Sequence, residues 1–295
     1  MKLLSPAKIN LYLKVTGKRP DGYHELLTLM TPVRLFDEID LEAVGEGIHV
    51  QAPGCGCDAG RNLASRAAEL FLGQTRVRAG VSIRITKNIP VGAGLGGGSS
   101  NASTVLKGMN ELFQTGLSRE ELMEMAGAIG SDCPFFILGK PCLMGGRGDM
   151  LLHEVVLEPR SYLIVTPPLE ISTARVYSLL KNPLTHGKKR YRITAEVVRR
   201  GIAPERWLEN DLEGPAFGMC PELKRIKAEL LEAGALGVIM SGSGSSILGI
   251  CQNDEHLCSV MSRFRRHEGY RYVPTTSLTG GNHGNYRGQG VSGQG

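Results

Sequence analysis

Apolar residues in this chain recur at two periods, and the switches between them outline its elements. Ile9, Leu11, Leu13 and Val15 alternate with Asn10, Tyr12 and Lys14, the period-two pattern of a half-buried strand. Lys8 and Asn10 share its polar face. Gly17 to Gly22 has turn chemistry, and Ile39, Leu41 and Ala43 alternate with Asp40 and Glu42 as another strand. After a loop over 52–60, Leu63, Ala67, Leu70 and Phe71 fall at helical spacing. Val81, Ile83 and Ile85 return to period two, and Ala102, Val105, Leu106, Met109, Leu112 and Phe113 mark a helix. Ser118-Arg-Glu-Glu121 is a capping box, followed by the stripe Leu122, Met125, Ala126 and Ile129 and a stop at Gly130. Strands are expected over 135–144 and 155–165.

Pro167-Pro168 is the best domain boundary. Beyond it, helices are expected over 173–180, 194–200 and 222–232, the last with Pro221 at its first position. Strands are expected over 237–240 and 246–251, flanking the small-residue loop Ser241-Gly-Ser-Gly-Ser-Ser246. Strands and helices in mixed order indicate an α+β fold rather than a doubly wound sheet. The division is therefore 1–166, 167–278 and a tail over 279–295. That tail is rich in Gly, Asn, Gln and Ser, cannot bury enough apolar surface to offset its ordering entropy, and is expected to be disordered.

Between the strand ending at Ile85 and the helix beginning near Ala102 lies Pro90-Val-Gly-Ala-Gly-Leu-Gly-Gly-Gly-Ser-Ser100. Glycines reach positive φ and allow close backbone approach, so successive amides can converge on an anion at a helix N-terminus. Ser99 and Ser100 add hydroxyl donors. A polyphosphate is the guest this suits. Three familiar glycine loops are excluded by spacing and context. No Gly-Lys pair is followed by Ser or Thr, as a Walker A loop requires. Gly92, Gly94 and Gly97 fit Gly-x-Gly-x-x-Gly, but a second helix follows where a dinucleotide fold needs a strand. The His-Arg-Asp and Asp-Phe-Gly elements of protein kinases are absent.

Composition narrows the class without naming a reaction. The chain has 295 residues, 41% hydrophobic, enough for two domains with a sizeable core. Its net charge of +5 suits phosphorylated substrates, while aromatics at 5% and no nucleic-acid motif make the basic clusters solvated faces. Seven irregularly spaced cysteines complete no zinc pattern and read as reduced thiols of a cytoplasmic protein. No signal-peptide core and no apolar run near ~20 residues is present, so neither membrane nor nucleic acid is an expected partner.

Three segments stand out together: Ser5-Pro-Ala-Lys-Ile-Asn-Leu11, Pro90 to Ser100, and Ser241 to Ser246. In order and spacing they resemble the three motifs of the GHMP kinase superfamily, over roughly residues 1–278. The resemblance implies a two-domain fold, with an N-terminal ATP-binding domain on a mixed sheet and a ferredoxin-like α+β C-terminal domain. It implies ATP and Mg2+, with no residue assigned to the metal, and a monomer or weak homodimer. Asp21-Gly-Tyr-His24 and Gly130-Ser-Asp-Cys-Pro-Phe-Phe136 resemble the branch whose acceptor is a cytidine-diphosphate-linked polyol.

On that resemblance Lys8 and Asp132 are the catalytic pair, Asp132 taking the hydroxyl proton and Lys8 offsetting γ-phosphate charge. The nucleotide falls to Pro90, Val91, Gly92, Ala93, Gly94, Leu95, Gly96, Gly97, Gly98, Ser99 and Ser100, with Asn62 and Lys87 near adenine. The acceptor falls to Asn10, Tyr23, His24 and Tyr177. Cys133 stands where the family is expected to have valine, a change a small thiol tolerates. On the residues alone, Lys8 is equally readable as a solvated lysine, Asp132 as a helix cap and Tyr177 as a core aromatic. Another kinase of the superfamily, of homoserine or mevalonate type, or a silent nucleotide-binding protein stays open at this level.

Overall fold

The computed structural model describes residues 1–54, 62–180 and 203–278 and the backbone of 286–287. Two long antiparallel strands, β1 (Lys2–Lys18) and β2 (His24–Val44), form the spine of the first sheet. Added to them are β3 (Ile48–Gln51), β4 (Gly80–Thr86), β5 (Cys142–Gly145) and β6 (Met150–Glu154). β4 is antiparallel to β2 and parallel to β3, so the sheet is mixed.

One face of this sheet carries α1 (Leu63–Gln74), α2 (Gly97–Leu112) and α3 (Arg119–Ile129). The helical stripe read from the sequence is what they bury. Ala102, Val105, Leu106 and Met109 pack with Phe71 of α1, with Leu122 and Met125 of α3, and with Ile39, Leu41 and Ile83 of the sheet. α3 opens with the expected box, the Ser118 hydroxyl accepting from the Glu121 amide while the Glu121 carboxylate accepts from Ser118.

A second sheet is built from β7 (Ser161–Thr166), β9 (Gly237–Met240), β10 (Ile247–Cys251) and β11 (Arg271–Thr276), all antiparallel, in the order β11-β7-β10-β9. The short strand β8 (Glu209–Asn210) instead joins β1 of the first sheet. On the second sheet lie α5 (Thr173–Ser178), α6 (Glu213–Met219), α7 (Pro221–Glu232) and α8 (Asp254–Arg263). Taking the second-sheet strands in chain order, the arrangement is strand, helices, two strands, helix, strand, which is the ferredoxin-like topology expected. The two sheets share a core, in which Ile9, Leu11 and Leu29 of the first meet Tyr162, Ile164, Leu248 and Ile250 of the second.

Four details depart from the sequence reading. Residues 133–138 form a buried helix, α4 (Cys133–Leu138), rather than the start of a strand. All six of its side chains are buried, so no polar position marks a period, and only Pro134 and the left-handed Gly139 (φ +66°) signal a helix. The stretch 155–165 is broken around Pro159, and strand structure starts at Ser161. β7 lies ahead of Pro167 yet pairs with β10 and β11, so the division between the sheets falls before Ser161. Tyr12, placed on the polar face by alternation, is buried in the shared core. The register slips between Asn10 (opposite Met30) and Tyr12 (opposite Leu29), a bulge that turns the ring inward.

Of the tail expected to be disordered, Tyr286–Arg287 pairs as β12 with Leu3 and Leu4 of β1, and the remainder lies outside the described residues. So does the helix expected over 194–200. No described helix is long and apolar enough to cross a membrane.

Because the glycine loop runs directly into α2, the packing of that helix bears on the loop. Leu106→Ala removes a fully buried side chain from the core between α2 and the sheet. It should lower unfolding stability by about 2–5 kcal/mol, read as a reduced denaturant midpoint at unchanged slope.

Candidate active site

β1 alternation delivers Lys8 and Asn10 to one place, but their polar face is a cavity floor and not solvent, at 4% and 2% exposure. The Lys8 ammonium donates to Asn10 Oδ1 at 2.5 Å and stands 3.5 Å from Asp132 Oδ2. The Asn10 amide in turn donates to Thr28 Oγ1 at 2.8 Å, and that hydroxyl donates to the Tyr12 carbonyl at 2.8 Å. This chain of donors leaves the Asn10 oxygen facing the ammonium. Asp132 does occupy the N-cap position of α4, yet its side chain makes no capping bond. The carboxylate faces Lys8 instead.

The glycine loop is shaped by three left-handed residues, Gly92 (φ +67°), Gly94 (φ +76°) and Gly96 (φ +70°). A Cβ on Gly94 would sit 2.1 Å from the Ser241 carbonyl, and one on Gly96 would sit 2.9 Å from both Lys8 Cγ and the Phe136 ring. No side chain fits at either position. The loop's carbonyls are held from outside it: the Lys8 amide donates to Leu95 O (3.0 Å), Ser241 Oγ to Gly94 O (2.9 Å) and the Ser246 amide to Ala93 O (3.2 Å). All three motif segments therefore meet at this loop.

The loop also separates two cavities. The smaller, of about 330 Å³, is lined by Asn62, Lys87, Pro90 to Gly98 and Ser99. The larger, of about 770 Å³, holds Lys8, Asn10, Asp132, Tyr23, His24 and Tyr177. Gly92, Gly94 and Gly96 line both. Among the described residues lining the two, Asp132 is the only carboxylate.

Ser100 sits apart from the cavities, and Asn62 has a second role. Ser100 is buried and accepts from Ser5 Oγ at 2.7 Å, in the wall behind the loop and outside both cavity linings. Asn62 lines the smaller cavity while its Oδ1 caps α1 by accepting from the Ala64 amide at 2.9 Å.

At the far end of the larger cavity the His24 and Tyr177 rings stack, 5.0 Å between centroids at 29°. Tyr23 is 55% exposed, with the Arg147 guanidinium 5.0 Å above its ring. Burial pushes the His24 imidazole below its ordinary value, and nearby Lys18 adds to this. Burial pushes the Tyr177 phenol up, helped by the Asp132 charge. Cys133 is buried, its thiol raised to about 11 by desolvation, and its carbonyl accepts from Ser103 Oγ at 2.8 Å. It behaves as the small apolar residue expected there.

Sequence reasoning missed Thr28, Arg147, Ser241 as a donor to the loop, and Asp37. Thr28 reaches Asn10 and Tyr12 across the β1–β2 pairing, Asp37 takes its donors from the segment after β4 and from α2, and Arg147 lies in a turn between β5 and β6. Nothing local in the sequence marks such placements.

The chain matches the family of GHMP kinases N terminal domains over residues 62–140 and that of GHMP kinases C terminal domains over 198–268. It belongs to the GHMP kinases, and within them to the family of 4-diphosphocytidyl-2-C-methyl-D-erythritol kinases. A relative of that name from Pelotomaculum thermopropionicum is 41% identical, covering 89% of this chain and 93% of its own. Another, from Syntrophotalea carbinolica, is 42% identical, covering 91% and 95%. A crystal structure of 4-(cytidine 5'-diphospho)-2C-methyl-D-erythritol kinase superposes with a TM-score of 0.77 at 36% identity, covering 95% of this chain and 100% of that one.

Two outcomes follow from this geometry. Gly96→Ala forces a left-handed alanine, costing about 1–3 kcal/mol, and pushes on Lys8. It should raise the apparent KM for nucleotide and lower kcat together in steady-state kinetics. His24 has a lowered pKa, so its neutral ring persists below the ordinary value of about 6.5. Protonation places a second charge beside Lys18. Acceptor kcat/KM should therefore be flat at neutral pH and fall as pH drops through the depressed His24 value. His24→Gln should remove that inflection.

Proposed function

We propose that this chain is an ATP-dependent kinase that phosphorylates the 2-hydroxyl of 4-diphosphocytidyl-2-C-methyl-D-erythritol, in the isoprenoid-precursor route that does not use mevalonate. The observation that carries the reading is the partition of the site. Gly92, Gly94 and Gly96 border both a small cavity and a larger one that holds Lys8, the Asp132 carboxylate and a set of aromatic rings. ATP takes the smaller cavity with its phosphates against the loop, whose carbonyls are engaged elsewhere and whose amides and α2 N-terminus suit an anion. The acceptor takes the larger cavity, its cytosine on Tyr23, His24 and Tyr177 and its polyol near Asn10.

In the reaction the acceptor oxygen bonds to the γ-phosphorus as the bond from that phosphorus to the β-bridging oxygen breaks, releasing ADP. Asp132 takes the hydroxyl proton, and Lys8 offsets the charge on the transferring group. Asn10 and Thr28 hold the ammonium in place. Mg2+ fits a donor set of this kind, because it keeps several waters and binds mainly through substrate phosphates with one or two protein oxygens. The Ser99 hydroxyl, on the nucleotide side of the loop, would be a protein oxygen for it, which leaves Asp132 to accept the proton. The cation would supply neutralisation of phosphate charge. A cytoplasmic protein is consistent with these small-molecule substrates.

The test is ADP release across a panel of acceptors. The cytidine-diphosphate-linked polyol should be turned over, and mevalonate and homoserine, which carry no base to stack, should not. Asp132→Asn should reduce kcat about 10²–10⁴-fold with nucleotide still bound. Comparable kcat/KM on mevalonate or homoserine would overturn the substrate assignment, and near-normal turnover in Asp132→Asn would overturn the proton-acceptor role.

A further inference from the structure

A second charged cluster lies behind the glycine loop and takes no part in the chemistry described above. At its centre is Asp37 of β2, fully buried at 0% exposure. A buried carboxylate must be compensated by charge and donors, and Asp37 is saturated. Its Oδ1 accepts from the backbone amides of Asn88 (2.7 Å) and Ile89 (2.8 Å). Its Oδ2 accepts from Asn101 Nδ2 (2.9 Å) and from the Lys87 ammonium in a short ion pair. The four donors come from two places: residues 87–89, the segment leaving β4, whose Lys87 also stands on the wall of the smaller cavity, and the second turn of α2.

The network continues under the loop. Asn101 Oδ1 accepts from Lys87 Nζ at 3.0 Å, and Asn101 Nδ2 also donates to Ser5 Oγ at 2.9 Å. Ser5 lies directly opposite Asp37 in the β1–β2 pairing and donates to Ser100. One carboxylate thereby fixes both ends of the glycine loop, its entry at residues 88 and 89 and its exit into α2.

The Lys87 ammonium has three N–H bonds. Two are directed at Asp37 and Asn101, which leaves one for a ligand in the cavity that Lys87 lines. An unpaired flexible lysine would lose several rotatable bonds of freedom on meeting a ligand, whereas one already clamped loses little. We propose that Asp37 is a positioning residue for nucleotide binding, one that preorients Lys87 and the loop entry without touching the reacting atoms. The inference rests on ATP occupying the smaller cavity.

The experiment is steady-state kinetics of the full chain, with ATP and acceptor each varied at saturation of the other. Asp37→Asn keeps shape and removes the charge. The KM for ATP should rise about fivefold or more, with kcat and acceptor KM within about twofold of the parent. Lys87→Met should raise the KM for ATP alike. If Asp37 acts through Lys87, the double variant should exceed Lys87→Met by no more than about twofold.

A parental KM for ATP in folded Asp37→Asn, or effects that multiply in the double variant, overturns the inference. A parental KM in Lys87→Met overturns the location of the nucleotide, and with it the reading beneath. Should Asp37→Asn fail to fold, Asp37→Ser decides, since it removes the ion pair with Lys87 and leaves a hydroxyl facing the Asn88 and Ile89 amides. A rise of about two- to fivefold in KM for ATP supports the proposal, and a parental value overturns it.

Discussion

An ammonium held at 4% exposure has to be surrounded by oxygen, and most of the site follows from meeting that need for Lys8. Its oxygens come from Asn10, two residues along the same strand, and from Asp132 at the start of α4. Asn10 is oriented by Thr28 on the neighbouring strand, and Asp132 reaches the ammonium because it is not used as a helix cap. The backbone of Lys8 meanwhile holds Leu95 in the phosphate loop. One residue thus joins the sheet, the loop and α4, and each must be built correctly for its charge to be tolerated.

The second sheet supports the same point from the other side. Ser241 accepts from the Asn10 amide at 3.3 Å and donates to Gly94 O, so a loop between β9 and β10 touches both the lysine's strand and the phosphate loop. That loop is itself held by Asn210, whose amide donates to the Met240 and Gly242 carbonyls at 2.8 Å each. The ferredoxin-like half contributes to the site mainly through backbone position, with the aromatic face of Tyr177 as its principal side chain.

Whatever rested on period or on local punctuation was legible in the sequence. The stripes of α2 and α3, the capping box, Pro221 opening α7 and the strands around Ser241 all lie where patterning put them. The Lys8–Asp132 pairing and the aromatic slot came from a family resemblance, since the two residues are 124 positions apart and only a fold brings them within 3.5 Å. The failures share a cause. α4 is buried all round and carries no period, and Tyr12 is turned by a bulge. Ser100 points inward because the helix starts at Gly97 and its hydroxyl meets Ser5 across the sheet. Asp37 has no local signature at all, because every donor it binds is 50 or more residues away. Burial on all sides and long-range pairing are the two things a linear pattern does not record.

The wall shared by the two cavities has a bearing on inhibitors. On the proposed reading, recognition on its nucleotide side would be carried largely by main chain, which amino-acid substitution cannot easily delete, while recognition at the base end would rest on His24, Tyr177 and the exposed ring of Tyr23. A compound anchored to the loop presents few contacts for resistance mutations to remove, at the expense of discrimination among enzymes built on the same loop. One anchored to the three rings gains discrimination and exposes itself to escape at three codons.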